Sequence, residues 1–345
     1  MARCDLGSTE RGDRPHEITG AREHNGVTVT HGVENVVIAA GNCSITVLPQ
    51  LGGKISSIRV GSHMLLHAQL HPYGKLNHTM NFEEGDAGGW DECLPSVAAC
   101  SLNTQHGTAA IPDHGDLWRV PWQVLEASND ALTMRARAFS LPLEITRSMV
   151  LKETSTGWQL QLLYSLVNIG DASSPWSWAA HPLFACEPGD LIVLPAEVQT
   201  LRVEGSRHDR LGRHGESVTW PIARLSDGSD VDLRLAQPSD SAIGDKLFTG
   251  SLAELRSAGW CALERASIGL RITTRFDPTL TPYLGLWLCY GGWPEGDGPK
   301  QVCVALEPTT APVDSLAETG AWSRWLVAGE TMNWPMEIGI ERIAE

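Results

Sequence analysis

From Trp158 to Leu166 every second residue is apolar or aromatic, with Gln159, Gln161 and Ser165 among those between. A period of two places residues 158, 160, 162, 164 and 166 on one face of a β-strand. The stretch before it, Leu143-Glu144-Ile145-Thr146-Arg147-Ser148-Met149-Val150-Leu151, alternates in the same way and is the natural hairpin partner. Near the start of the chain, Val36-Val37-Ile38 is short and β-branched. Ser44-Ile45-Thr46-Val47-Leu48 alternates, Pro49 with Gly52-Gly53 marks a turn, and Ile55, Ile58 and Val60 begin the next strand. Later strands are expected at 268–275, 283–290, 301–306 and 336–343. Helical periodicity is rare. Ser251 to Ala258 predicts one short helix, with Ser251 as N-cap and Glu254 at the capping-box position. Many strands, frequent Gly and Pro turns and no βαβ rhythm give an all-β chain: a large antiparallel sandwich or barrel. Residues 1–30 carry many charges and few large apolar side chains, which predicts a flexible arm. Residues 31–345 then form a single domain.

Composition narrows the chemistry. The chain has 345 residues, is 42% hydrophobic and carries a net charge of −15. That charge argues against a nucleic-acid partner, which needs clustered Lys and Arg, and against docking on anionic membranes. No apolar run is long enough to span a bilayer. The eight cysteines are scattered singly, without a Cys-x-x-Cys, which predicts reduced thiols and a cytoplasmic location. Trp is unusually frequent: 13 residues against 5 Phe and 4 Tyr. Most will be core, but Trp90, Trp118, Trp178 and Trp287 lie beside polar motifs and are candidate platforms for sugar rings.

Two distant segments carry the strongest chemical signal. Ala180-His181-Pro182-Leu183-Phe184 and Val304-Ala305-Leu306-Glu307-Pro308 each hold one titratable group among apolar neighbours. A buried His and Glu can serve as general acid and general base. The plainer readings are a hydrogen-bonded core histidine and a carboxylate facing water at the end of a strand. Glu307 follows a nearly continuous apolar run, so a place at the sheet rim is expected. In Pro112-Asp113-His114-Gly115-Asp116-Leu117-Trp118-Arg119, His114 and Arg119 either form a structural ion-pair loop or donate to sugar hydroxyls. Asp91 and Glu92 in Gly88-Gly89-Trp90-Asp91-Glu92-Cys93-Leu94-Pro95 either touch substrate or orient its partners. His63, His67 and His71 would align on a helix as a metal face, but Pro72 breaks such a helix, so no metal is expected. Gly-x-Gly-x-x-Gly, P-loop and Gly-x-Ser-x-Gly patterns are absent.

Together these segments resemble the galactose mutarotase-like superfamily, the aldose 1-epimerases and their relatives. Leu48-Pro49-Gln50-Leu51-Gly52-Gly53-Lys54-Ile55 is similar to the family's opening strand and Gly-rich turn. The His181 and Glu307 segments resemble those that hold its general acid and general base. The resemblance spans about residues 34 to 343 and implies a β-supersandwich that interconverts anomers of a free or modified aldose, with no cofactor. It assigns His114 and Arg119 to the sugar site, and makes Asp245 a candidate for the family's substrate-binding Asp. The sequence departs from the family before His181, where Trp176, Ser177 and Trp178 stand in place of an Asn. The partner implied is a small carbohydrate, and the oligomeric state is monomer or homodimer. Two further classes stay open: a non-catalytic sugar-binding protein on the same fold, and a glycoside lyase or hydrolase. A hydrolase would need Asp91 or Glu92 facing Glu307.

Overall fold

The computed structural model describes residues 27–30, 33–85 and 88–343. The 158–166 alternation becomes the long strand Gly157–Asn168, with residues 158, 160, 162, 164 and 166 all buried. Its hairpin partner is Leu143–Glu153, paired from Leu143 opposite Asn168 to Glu153 opposite Trp158. On its other side runs Thr331–Arg342, with Pro335 opposite Leu163. These strands are central to an eight-stranded antiparallel sheet among the described residues. A second sheet, of twelve strands, holds the motifs. Its middle runs Lys54–Val60, Trp90–Cys93, Ala179–Ala185, Val302–Thr309, Tyr283–Tyr290 and Ile243–Thr249, each hydrogen-bonded to the next. One apolar core draws side chains from both sheets, Ile38, Ile45 and Ile55 from one and Leu160, Leu162 and Ile338 from the other. The result is a β-sandwich, as the alternation requires.

Some expectations need correction. Ser251–Ala258 is not a helix but a set of turns. The Ser251 hydroxyl does accept the Glu254 N–H at 3.3 Å, yet Arg256 turns left-handed at φ +55 and ends the coil after one turn. Two strands begin earlier or run further than their apolar runs: Thr331–Arg342 starts five residues before residue 336, and Val302–Thr309 continues past Glu307. The 268–275 strand begins at Leu270, after a 3-10 turn at Ala266–Ile268. No helix forms over His63, His67 and His71; His63 lies in a two-residue strand with Met64. Most of the expected arm, residues 1–26, lies outside the described residues; its last four, Val27–Thr30, pair with Val33–Ala40 as an edge strand. Among the described residues no helix is long and apolar enough to cross a membrane.

Candidate active site

Strand register brings His181 and Glu307 together. Leu183 pairs with Ala305 and Ala179 with Thr309, so His181 stands opposite Glu307 on the adjacent strand. The His181 Nε2 to Glu307 Oε1 separation is 3.7 Å. The two groups sit side by side rather than facing each other. Glu307 is 1% exposed and lies inside the strand, in the middle of the sheet, not at its rim. The strand passes through it because Thr309 still pairs with both Ala179 and Tyr283.

His181 opens onto a cavity of about 280 Å³. Phe82, Asp113, His114, Trp287, Trp293 and Gln301 line it, with Lys246 and Asp314 among its charged groups. His114 stacks on Phe82, centroids 3.6 Å apart, and meets the His181 ring edge-on at 5.2 Å. Its backbone is left-handed at φ +57, and its Nδ1 lies 2.9 Å from Asp113 Oδ2. Gly115 follows at φ +69; a Cβ there would come within 2.3 Å of the Leu94 carbonyl oxygen, so this tight loop requires glycine. Gly115→Ala is expected to disorder the His114 loop, which faster hydrogen exchange of the loop amides would register.

Lys246 is the group the sequence did not reveal. Its ammonium bonds Glu307 Oε2 and lies 3.6 Å from Asp314 Oδ1. Glu307 Oε1 and Asp314 Oδ1 are buried acceptors with no hydrogen-bond donor. Burial pushes the Asp314 carboxyl up to about 6, against the attraction of Lys246 and with the repulsion of Glu307. Burial, together with the charges of His114, Lys246 and Lys54, holds the His181 imidazole well below its usual range. The Lys246 ammonium is held above its ordinary range: burial opposes the charge, and Asp314 and Glu307 overcome it.

The remaining sequence candidates are placed elsewhere. Arg119 is buried and spends its donors on backbone carbonyls: Met80 at 2.8 and 3.1 Å, Asp113 at 2.6 Å, and Gly115. It lies over the Trp118 ring and fixes the loop that carries His114, outside the cavity lining. Trp118 is buried against Phe82 and is not a platform. Glu92 points between the sheets, where Arg147, Tyr164 and Trp178 donate to it at 2.8, 2.9 and 2.9 Å. Trp178 is thereby committed to the core, and Trp90 is fully buried. Asp91 pairs in register with His181 but is taken by Lys54. Asp245 is fully buried, accepts the Ser206 hydroxyl at 2.7 Å and lies 3.4 Å from Arg210, away from the cavity. Trp287 alone of the four Trp candidates lines the cavity; Trp293, missed in the sequence, joins it. Among the described residues no group of three or more His, Cys, Asp or Glu is placed to hold a metal ion.

No family model and no curated protein matches the sequence. Solved structures do match over nearly the whole chain. The Slr1438 protein of Synechocystis aligns at TM-score 0.65 and 16% identity, over 95% of this chain and 99% of that one. A galactose mutarotase-like protein from Lactobacillus casei aligns at 0.58 and 17% identity, over 89% and 100%. The aldose epimerase homologue of C. elegans aligns at 0.58 and 12%, over 90% and 99%. At these identities the likeness is one of fold: the chain has the galactose mutarotase-like β-sandwich.

Proposed function

We propose that the chain is an aldose 1-epimerase that interconverts the anomers of a free or modified aldose. The observation that carries this reading is the Oε1 of Glu307, a buried acceptor with no hydrogen-bond donor, 3.7 Å from the Nε2 of His181. His181 lines the cavity with Phe82, Trp287 and Trp293, and Glu307 lies next to it, outside the lining. At about 280 Å³ the cavity is just below the roughly 300–1,000 Å³ of drug-sized pockets, which suits one sugar ring. Trp287 and Trp293 offer indole surfaces for the C–H face of the ring.

In this reading Glu307 Oε1 takes the proton of the C1 hydroxyl while His181 gives one to the ring oxygen. The C1–O bond of the ring breaks and the aldehyde forms. Rotation about C1–C2 presents the other carbonyl face. Closure returns one proton from Glu307 to the new C1 hydroxyl and one from the ring hydroxyl to His181. Both side chains end as they began. Each positioned acid or base contributes about 10²–10⁴-fold. His114 would donate to a sugar hydroxyl from its stack on Phe82.

The depressed His181 has a kinetic consequence. Its ring is neutral in the resting site at neutral pH, and the protonated minority acts as the acid. The value of kcat/KM is therefore expected to rise as pH falls from about 8 to about 6. Anomer exchange followed by NMR, with the spontaneous rate subtracted, checks this. A rate climbing steadily towards pH 8 would remove His181 as the acid. The reading as a whole is tested by polarimetry with a panel of aldoses. Acceleration of at least one, lost in His181→Ala, supports it; tight sugar binding with no acceleration would favour a binding protein.

A further inference from the structure

We infer that Lys246 is a positioning residue that clamps the Glu307 carboxylate by one oxygen, leaving the other free to take the sugar's proton. This rests on the epimerase reading above. The clamp has three parts. Lys246 bonds Oε2 alone, and Oε1 is left as a buried acceptor without a donor. Lys246 stands opposite Trp287 across one strand pair, and Gly285, opposite both Phe248 and Glu307, supplies the gap its side chain reaches through. A Cβ on Gly285 would lie 3.2 Å from Glu307 Oε2, the oxygen that Lys246 holds, and 3.1 Å from the Phe248 ring. The third part is Asp314, 3.6 Å from the same ammonium. Its loop is fixed by the N–H groups of Val97 and Ala98 on the Asp314 carbonyl, and by Glu204 on the Asp314 N–H. One cation of the cavity lining thus serves two carboxyl groups, Asp314 within the lining and Glu307 outside it. A free carboxylate would rotate; one tied at Oε2 presents Oε1 in a fixed direction.

The strands on the His181 side bring further charges to this pair; Tyr283–Tyr290, between Lys246 and Glu307, carries none. His181 lies on the adjacent strand, and Asp91 with Lys54 on the next two. The Glu307 charge bears on the Cys93 thiol, on the Asp91 strand, and His114 meets the His181 ring edge-on from its loop. Lys246 is the cation bonded to Glu307 itself, and its charge also bears on His181. Removing it makes both catalytic groups easier to protonate.

The experiment is a set of pH–rate profiles for anomer exchange. If the wild type accelerates no aldose, the epimerase reading fails and the clamp with it. If it does, Lys246→Met is expected to move the whole profile up by about 1–3 pH units, the span typical of losing an adjacent opposite charge. Lys246→Arg should restore most of the shift. Above about pH 6, where Asp314 is ionised, Asp314→Asn removes a negative charge beside the same cation and is expected to move that part of the profile down. It sits on a partly exposed loop, so it reports even if Lys246→Met does not fold. A purely structural lysine would change yield or melting temperature and leave the profile in place. An unmoved profile in Lys246→Met, or in Asp314→Asn where that is the only folded variant, overturns the inference.

Discussion

Glu307→Gln is expected to lower kcat for anomer exchange by about 10²–10⁴-fold while KM changes little. The amide matches the carboxylate in shape but cannot accept the C1 proton, so the loss falls on the transition state rather than on binding. The substitution also leaves the Lys246 ammonium with Asp314 as its remaining carboxylate neighbour. Some stability will go with it, and melting curves must accompany the kinetics. A folded Glu307→Gln protein that turns over at the wild-type rate would place the base elsewhere. Asp91 could not replace it without breaking from Lys54.

The largest expected effect on stability lies away from the cavity. Arg147 and Glu92 are both fully buried between the sheets. Arg147 also donates to the Gly53 carbonyl, in the turn before the Lys54 strand. Burial pushes the Glu92 carboxyl up, and Arg147, Tyr164 and Trp178 oppose that. Arg147→Met leaves the carboxylate with two neutral donors and no cation. The expected cost is about 3–5 kcal/mol, since half of a buried pair is an uncompensated charge. Without Arg147 the carboxyl is raised further in the folded state. The loss relative to the wild type should therefore be smallest at acid pH and grow as pH rises towards the raised folded value. Denaturant melts at two pH values check this. The double variant Arg147→Met with Glu92→Gln should recover much of the loss, and equal losses in single and double variants would mean that the pair carries no such coupling.

The strands were legible where one face is buried and the other wet. Alternation from Trp158 to Leu166 fixed both a strand and its inward face, because the period of two is the geometry of the pleat. Of the candidate site, the two residues that the fold brings together were legible, since a His and a Glu among apolar neighbours stand out against their surroundings. Lys246 was hidden because its strand, Ile243–Thr249, is buried on both faces and has no alternation to read. The sequence pointed one residue away, to Asp245; a shift of one residue along a strand changes the face. Register across three strands, not composition, decides that Lys246 reaches Glu307. Arg119, Glu92 and Trp178 misled for a related reason. Their polar atoms face carbonyls or each other inside the protein, and a sequence cannot distinguish an internal partner from a sugar. The cavity wall of Phe82, Trp293 and Asp314 comes from loops, where no periodicity applies.

The central claim is that Glu307 and His181 together address one anomeric centre. A crystal structure of the Glu307→Gln protein soaked in an accelerated aldose tests it most directly. The account predicts a single pyranose in the cavity, its C1 hydroxyl on the residue-307 side chain and its ring oxygen within hydrogen-bonding distance of His181 Nε2. A sugar bound with C1 turned away from both groups, or bound only outside this cavity, would contradict it.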